Sequence, residues 1–231
     1  MKKVLVTGAT GSIGQAIVRE FAKNGFFVYI HYNSNMQKAQ ELLDEIQKGE
    51  LITFDMTNKN SIKSALEDIE VDVLVNNAGI IKDNLFFFMQ EDQWEEVIDV
   101  NLNANFTITK LISKNMIMNK KGSIVNVASI SGVCGNAGQA NYSASKGGVI
   151  ALSKTLAIEL GRYNIRVNAL APGIIDSEMT KNLPNTKELK KTIPLKRFGN
   201  VEEVAKCAYF IGVEATYVSG EVLNISGGMV R

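Results

Sequence analysis

The stretch VLVTGATGSIGQAIV, residues 4–18, decides how this chain is read. A short apolar run ends at Val6. A turn-prone run then holds Gly8, Gly11 and Gly14. Beyond it, QAIVREFAKNG places apolar residues at helical spacing, with Gly25 as its stop. The order is therefore strand, glycine loop, helix. Glycines there allow a tight turn and a close backbone approach to a pyrophosphate, whose charge faces the helix N-terminus. A plain glycine-rich turn would explain the spacing alone. A strand before the loop and a helix after it point to dinucleotide binding.

Outward from that unit the same alternation recurs. Residues 3–6, 27–31, 51–54, 72–75, 123–127, 165–170 and 221–225 are short, rich in Val and Ile, and bounded by turn residues, so they read as strands. Residues 12–24, 35–47, 58–69, 91–118, 140–161 and 201–211 read as helices. Near-continuous apolar strands alternating with helices imply a parallel sheet covered on both faces. Right-handed crossovers make it doubly wound. The expected fold is α/β, a Rossmann-type sheet of about seven strands in a single domain over residues 1–231.

Composition narrows the function. The net charge is +1 with no basic block, so nucleic-acid binding has no electrostatic footprint. No apolar run approaches membrane-spanning length. The two cysteines, Cys134 and Cys207, lack metal-ligand spacing and read as reduced thiols, and His31 is the only histidine. No metal site and a cytoplasmic location are expected. His31 reads as structural or as a neighbour of the adenine.

Tyr142 and Lys146 stand four apart in NYSASKGG, residues 141–148, and so share one helix face. A neighbouring cation favours the phenolate and lowers a tyrosine pKa, which suits acid–base work near neutrality. Taken alone, the pair reads equally as an exposed lysine on an ordinary helix.

The glycine loop resembles the TGxxxGxG loop of the short-chain dehydrogenases/reductases, with Ser12 in place of the middle glycine and Gly11 one residue earlier. A serine hydroxyl there can itself bond a phosphate oxygen. The resemblance runs over essentially the whole chain: NNAG (76–79), DVNLNANF (99–106), SIVNVASISG (123–132), NYSASKGG (141–148), APGIIDSEMT (171–180) and YVSGEVLNISGGM (217–229) follow in the family's order. The resemblance implies a catalytic set. Tyr142 donates a proton to the carbonyl oxygen, and Ser129 hydrogen-bonds the same oxygen. Lys146 lowers the tyrosine pKa and holds the nicotinamide ribose, and Asn101 supports a water that resupplies the proton. Read singly, Ser129 is equally a strand-end cap and Asn101 a buried polar residue.

The resemblance also implies a cofactor set. Gly8, Thr10, Gly11, Ser12, Ile13 and Gly14 would meet the phosphates. Asp55, with Met56 beside it, would accept from the adenine amino group, unless it only caps the next helix. Asn77 and Gly79 would lie under the adenosine ribose, and Ile175 and Ser177 beside the carboxamide and phosphate. At the end of strand two stands Tyr32, with no carboxylate near it, so NADPH is favoured over NADH. The nearest cation is Lys38.

Within that family, GNAGQANYSASKGGVIALSKTLAIEL (135–160) and IIKDNLFFFM (80–89) are similar to the β-ketoacyl-[acyl-carrier-protein] reductases of bacterial fatty-acid synthesis. That resemblance implies NADPH-dependent reduction of a 3-oxoacyl thioester on acyl carrier protein; the alternatives are another short-chain dehydrogenase acting on acetoacetyl-CoA, a sugar, a steroid or another ketone or secondary alcohol, and a non-catalytic nucleotide-binding scaffold. It also implies a homotetramer joined through 91–118, 140–161 and the C-terminal region. Residues 176–200 fall at the family's substrate lid. Their basic residues, with Lys120, Lys121 and Arg162, are candidates to meet an acidic partner. The run LFFFM, 85–89, is expected in the core or a subunit contact rather than in a pocket. Cys134 is expected to be a small packed residue near the site.

Overall fold

Strands that read as unbroken apolar runs must be buried on both sides; the five inner strands are, and the two edge strands are only partly covered. The computed structural model describes residues 1–178, 180–181 and 185–230. Its sheet has seven parallel strands in the order β3-β2-β1-β4-β5-β6-β7. In chain order the elements are β1 (Lys3–Val6), α1 (Ser12–Lys23), β2 (Phe27–Tyr32), α2 (Met36–Ile46), β3 (Gly49–Thr53), α3 (Lys59–Leu66) and β4 (Val73–Asn76). There follow α4 (Glu91–Ile98), α5 (Ala104–Asn119), β5 (Gly122–Val127), α6 (Ser131–Cys134) and α7 (Ala140–Gly161). The chain closes with β6 (Ile165–Pro172), α8 (Thr186–Thr192), α9 (Val201–Tyr209) and β7 (Val222–Ile225).

Successive strand residues point to opposite faces. Val4 and Val6 join the core under α1, α2 and α9, whereas Leu5 joins the core under α3, α5 and α7. Val73, Leu74 and Val75 on β4 divide the same way. The strand order reverses between β1 and β4. At such a switch point the crossovers leave in opposite directions and open a crevice at the carboxyl ends of the strands.

The structure departs from the sequence reading in four places. β3 begins at Gly49, not at 51, because the bare glycine lets the strand close on β2: a Cβ there would lie 2.5 Å from the carbonyl oxygen of Val28. The long helix expected over 91–118 is divided by a π-helical segment, Asp99–Asn103, which carries Asn101. A second π-helical segment, Phe210–Glu214, extends α9. The short helices α6 and α8, and a 3-10 turn at Phe86–Phe88, were not foreseen. That turn leaves Phe86 80% and Phe87 88% exposed, so the LFFFM run is not core. Among the described residues no helix is long and apolar enough to cross a membrane. No group of His, Cys, Asp and Glu could hold a metal ion there either.

Candidate active site

One cavity of about 760 Å³ lies at the carboxyl ends of the strands, within the size range of small-molecule sites. Its walls come from the glycine loop, the ends of β2, β3, β4 and β5, the start of α7 and the segment after β6. All of the residues expected to meet the cofactor border it: Gly8 and Thr10 through Gly14, Tyr32, Asp55, Met56, Asn77, Gly79, Tyr142, Lys146, Ile175 and Ser177. Ser129 borders it too. Asn101 does not.

The glycine loop is built by close approach. Gly8 adopts φ +61°, and a Cβ on it would lie 2.7 Å from the Cα of Ala78. A Cβ on Gly14 would lie 2.3 Å from the carbonyl oxygen of Gly8. Gly11 is different: its Cβ would meet only that same oxygen, at 3.4 Å, an ordinary contact. Gly11 occupies the N-cap of α1 and offers no side chain to the first amides of the helix. Those amides are ready donors for an anion. The loop is held from β4. Thr7 Oγ1 accepts from the backbone N–H of Asn77 at 3.0 Å and of Ala78 at 3.1 Å. The Asn77 amide donates back to the carbonyls of Thr7 (3.0 Å) and Gly8 (3.1 Å). Asn77 therefore braces the loop as well as bordering the cavity. Thr7 was not singled out in the sequence, although it opens the loop pattern.

Ser12 Oγ does not wait for a phosphate. It accepts from the backbone N–H of Glu178 at 3.2 Å. Glu178 also borders the cavity, and its carboxylate pairs with Lys38 Nζ at 3.2 Å. Lys38, the cation nearest to Tyr32 in the sequence, is thus engaged by an acid 140 positions away. Beyond the end of β3, Asp55 Oδ1 accepts from Thr57 N–H and Thr57 Oγ1, both at 2.8 Å. Asp55 does not cap the next helix. Asn58 does, accepting from Asn60 and Ser61 at 3.0 and 3.1 Å.

At the other end, α7 places Tyr142 and Lys146 on one face. Lys146 Nζ donates to the carbonyl of Val127 at 2.8 Å and lies 5.7 Å from the centre of the Tyr142 ring. Burial lowers the Lys146 pKa to about 8. The expectation that Lys146 lowers the Tyr142 pKa is corrected here: burial raises the phenol above its usual value, against the hydrogen bond with Ser129, which lowers it. Removing a phenolate from water costs more than its neighbours return. The Asp83 carboxylate adds to the rise.

Ser129 Oγ accepts from the backbone N–H of Ser131 at 3.1 Å, which leaves its own proton to be donated. Behind it, Ser131 Oγ donates to Gln139 Oε1 (2.9 Å), and Gln139 Nε2 donates to Asp83 (2.9 Å). Asn101 acts behind the cavity. Its Oδ1 accepts from Ile80 N–H at 2.8 Å, and its Nδ2 donates to the Ile80 carbonyl and to Ser145 Oγ, both at 3.1 Å. Gly79 lets this cluster close: a Cβ there would lie 3.2 Å from Asn101 Oδ1 and 3.3 Å from Lys146 Nζ. Cys134 is exposed, with its thiol donating to the Ile130 carbonyl at 3.2 Å, and it does not border the cavity. The expected lid over 176–200 includes residues 179 and 182–184, which lie outside the described residues. α8 is its described helix.

The sequence model of the family described as "short chain dehydrogenase" matches residues 2–188. Near-full-length relatives are similar to this chain throughout. The "3-oxoacyl-[acyl-carrier-protein] reductase FabG" of Thermotoga maritima is 42% identical over 99% of this chain and 98% of its own length. The protein of that name from Staphylococcus epidermidis is 39% identical, also over 99% of this chain and 98% of its own. The "Nodulation protein G" of Rhizobium meliloti is 43% identical over 99% and 96%.

Gly14→Ala is expected to disable the dinucleotide end. No rotamer relieves a Cβ 2.3 Å from a backbone oxygen, so the loop must move. A thermal-shift titration should show the variant's melting temperature unmoved by NADPH or NADH that raises the wild type's.

Proposed function

The chain belongs to the short-chain dehydrogenase family, and on that premise we propose that it reduces 3-oxoacyl thioesters on acyl carrier protein to their (3R)-3-hydroxy forms, with NADPH, in fatty-acid synthesis. It is an NAD(P)H-dependent oxidoreductase acting on a ketone or alcohol. The observation that carries the proposal is the meeting of Ser129, Tyr142 and Lys146 at one end of a cavity whose other end is a glycine cradle.

The cavity fits a nicotinamide dinucleotide. Bare backbone at Gly8 and Gly14, free first-turn amides on α1 and the acceptor Asp55 suit pyrophosphate and adenine. When bound, the nicotinamide supplies hydride to the carbonyl carbon. Negative charge then grows on the carbonyl oxygen. Tyr142 gives its hydroxyl proton to that oxygen, and Ser129 donates a hydrogen bond to it. The raised phenol pKa keeps the proton on Tyr142 until this demand arises. Lys146 supports the phenolate left behind. Asn101 contributes by fixing Ile80 and Ser145 around Lys146, and a water beside it would return the proton.

The substrate's carrier is argued from charge. The basic candidates divide by position. Lys120 and Lys121 precede β5, and Arg162 ends α7 before β6, so all three sit at the amino ends of the strands, away from the cavity. A carrier protein docked at the cavity would not reach them. In 186–200, Lys191 pairs with Glu188 and Arg197 with Glu203. Lys196 Nζ donates to the Lys191 carbonyl, and Lys181, Lys187 and Lys190, beyond the carboxyl end of β6, are the candidates for an acidic carrier protein. A homotetramer is supported by α5 and α7, which carry apolar residues all round, with Phe106 51% and Ile158 84% exposed. The exposed Phe86–Phe88 turn suits a subunit contact as well. We place the enzyme in the cytoplasm.

The direct test follows NADPH absorbance with acetoacetyl thioesters of acyl carrier protein and of CoA. Faster turnover on the carrier protein is expected, and Tyr142→Phe should lose about 10²–10⁴-fold in kcat. Equal turnover on both thioesters overturns the carrier assignment.

Lys146 gives a pH signature. It is charged below its pKa of about 8 and neutral above. kcat/KM for reduction should be level below that pH and fall as pH rises through it. Lys146→Met should lose this limb together with most of the turnover.

Glu178→Gln should release Lys38 toward a 2′-phosphate. The ratio of kcat/KM for NADPH to that for NADH is expected to rise about two- to fivefold, as for one exposed charge contact.

A further inference from the structure

We infer that His31 is a positioning residue for the dinucleotide: its uncharged imidazole ties the glycine loop to the strand end that leads into Asp55. The inference rests on the cofactor reading above.

His31 is 1% exposed at the end of β2, where it packs between the glycine loop and β3. Its Nδ1 accepts from the backbone N–H of Gly8 at 3.0 Å. An amide N–H can only donate, so Nδ1 carries no proton. Nε2 then holds the proton and donates to the carbonyl of Phe54 at 3.1 Å. The ring stacks on Phe54, with centroids 3.8 Å apart. The backbone joins in, as the His31 carbonyl accepts from Ala9 N–H at 2.9 Å. One residue thus holds two successive amides of the loop and the carbonyl just before Asp55.

The loop needs this partner. Thr7 N–H still bonds to Val75 on β4 at 3.0 Å. At Gly8 the chain turns to φ +61° and leaves the ladder. Its N–H must then find an acceptor off the strand, and the imidazole is the one present among the described residues. Burial holds the His31 pKa down to about 4, from 6.5, so the ring stays neutral through the physiological range. An imidazolium has a donor at both nitrogens and could not take the Gly8 bond.

Three forms of the protein test the role. His31→Phe keeps the stacked ring and removes both nitrogens. His31→Asn places an amide oxygen near Nδ1 and can accept from Gly8 again. Binding of NADPH to the free protein is read by fluorescence titration, and kinetics are read beside it. An unpaired Gly8 amide should weaken binding about tenfold in His31→Phe and raise the KM for NADPH in step, with kcat within about twofold. His31→Asn should recover most of the loss. Wild-type affinity in His31→Phe overturns the inference while leaving the cofactor reading intact. Failure of the wild type to bind NADPH or NADH overturns both. A measurement that needs no variant is the imidazole ¹⁵N spectrum at pH 7. An unprotonated Nδ1 supports the assignment, and a protonated Nδ1 refutes it.

Discussion

A parallel sheet buried on both faces has no room for chemistry along its strands. Every residue from Val4 to Val6 and from Val73 to Val75 is spent on one core or the other. Functional groups are forced to the strand ends, where the backbone leaves the ladder and the loops begin. The switch between β1 and β4 then decides which end can open. The glycine loop, Asp55, Ser129 and the segment after β6 are all strand-end features of that one edge. Tyr142 and Lys146 arrive from α7, which packs against β6 and carries its first turns up to the same edge.

How much was legible follows from where each signal lies. The strands were legible because two-sided burial writes itself as runs of Val, Ile and Leu. Gly8 and Gly14 were legible because a requirement for bare backbone appears directly as a residue type. Contacts between distant segments were not. Nothing in the composition around Lys38 shows that Glu178 will claim it, and nothing near Ser12 shows that it will accept from Glu178 N–H. The role of His31 depends on Gly8 and Phe54, each 23 positions away. The phenol's pKa was misjudged for a related reason. Spacing reveals that a lysine shares the helix face, but burial is a property of the folded whole.

Burial shapes the reactive pair in a way that proximity alone does not. Desolvation penalises whichever form carries charge, so it raises Tyr142 and lowers Lys146 together. One cause thus drives proton donor and cation apart in pKa, the phenol upward and the ammonium downward. A phenol in that state holds its proton firmly until charge develops on a neighbouring oxygen. Lys146, with its pKa held down to about 8 by that burial, still carries its charge at neutrality beside the Tyr142 ring.

Ser12 shows how a departure from a family's loop pattern can be absorbed. At Gly8 and Gly14 a Cβ meets backbone at 2.7 and 2.3 Å, so those positions admit only glycine. Position 12 begins α1 and faces the segment after β6, where a side chain finds a partner rather than a wall. A glycine there would leave the Glu178 N–H without that acceptor. The serine links the glycine loop to the segment after β6, and Lys38 holds the same glutamate from α2. The glycine loop, α2 and the segment after β6 thereby meet at Glu178.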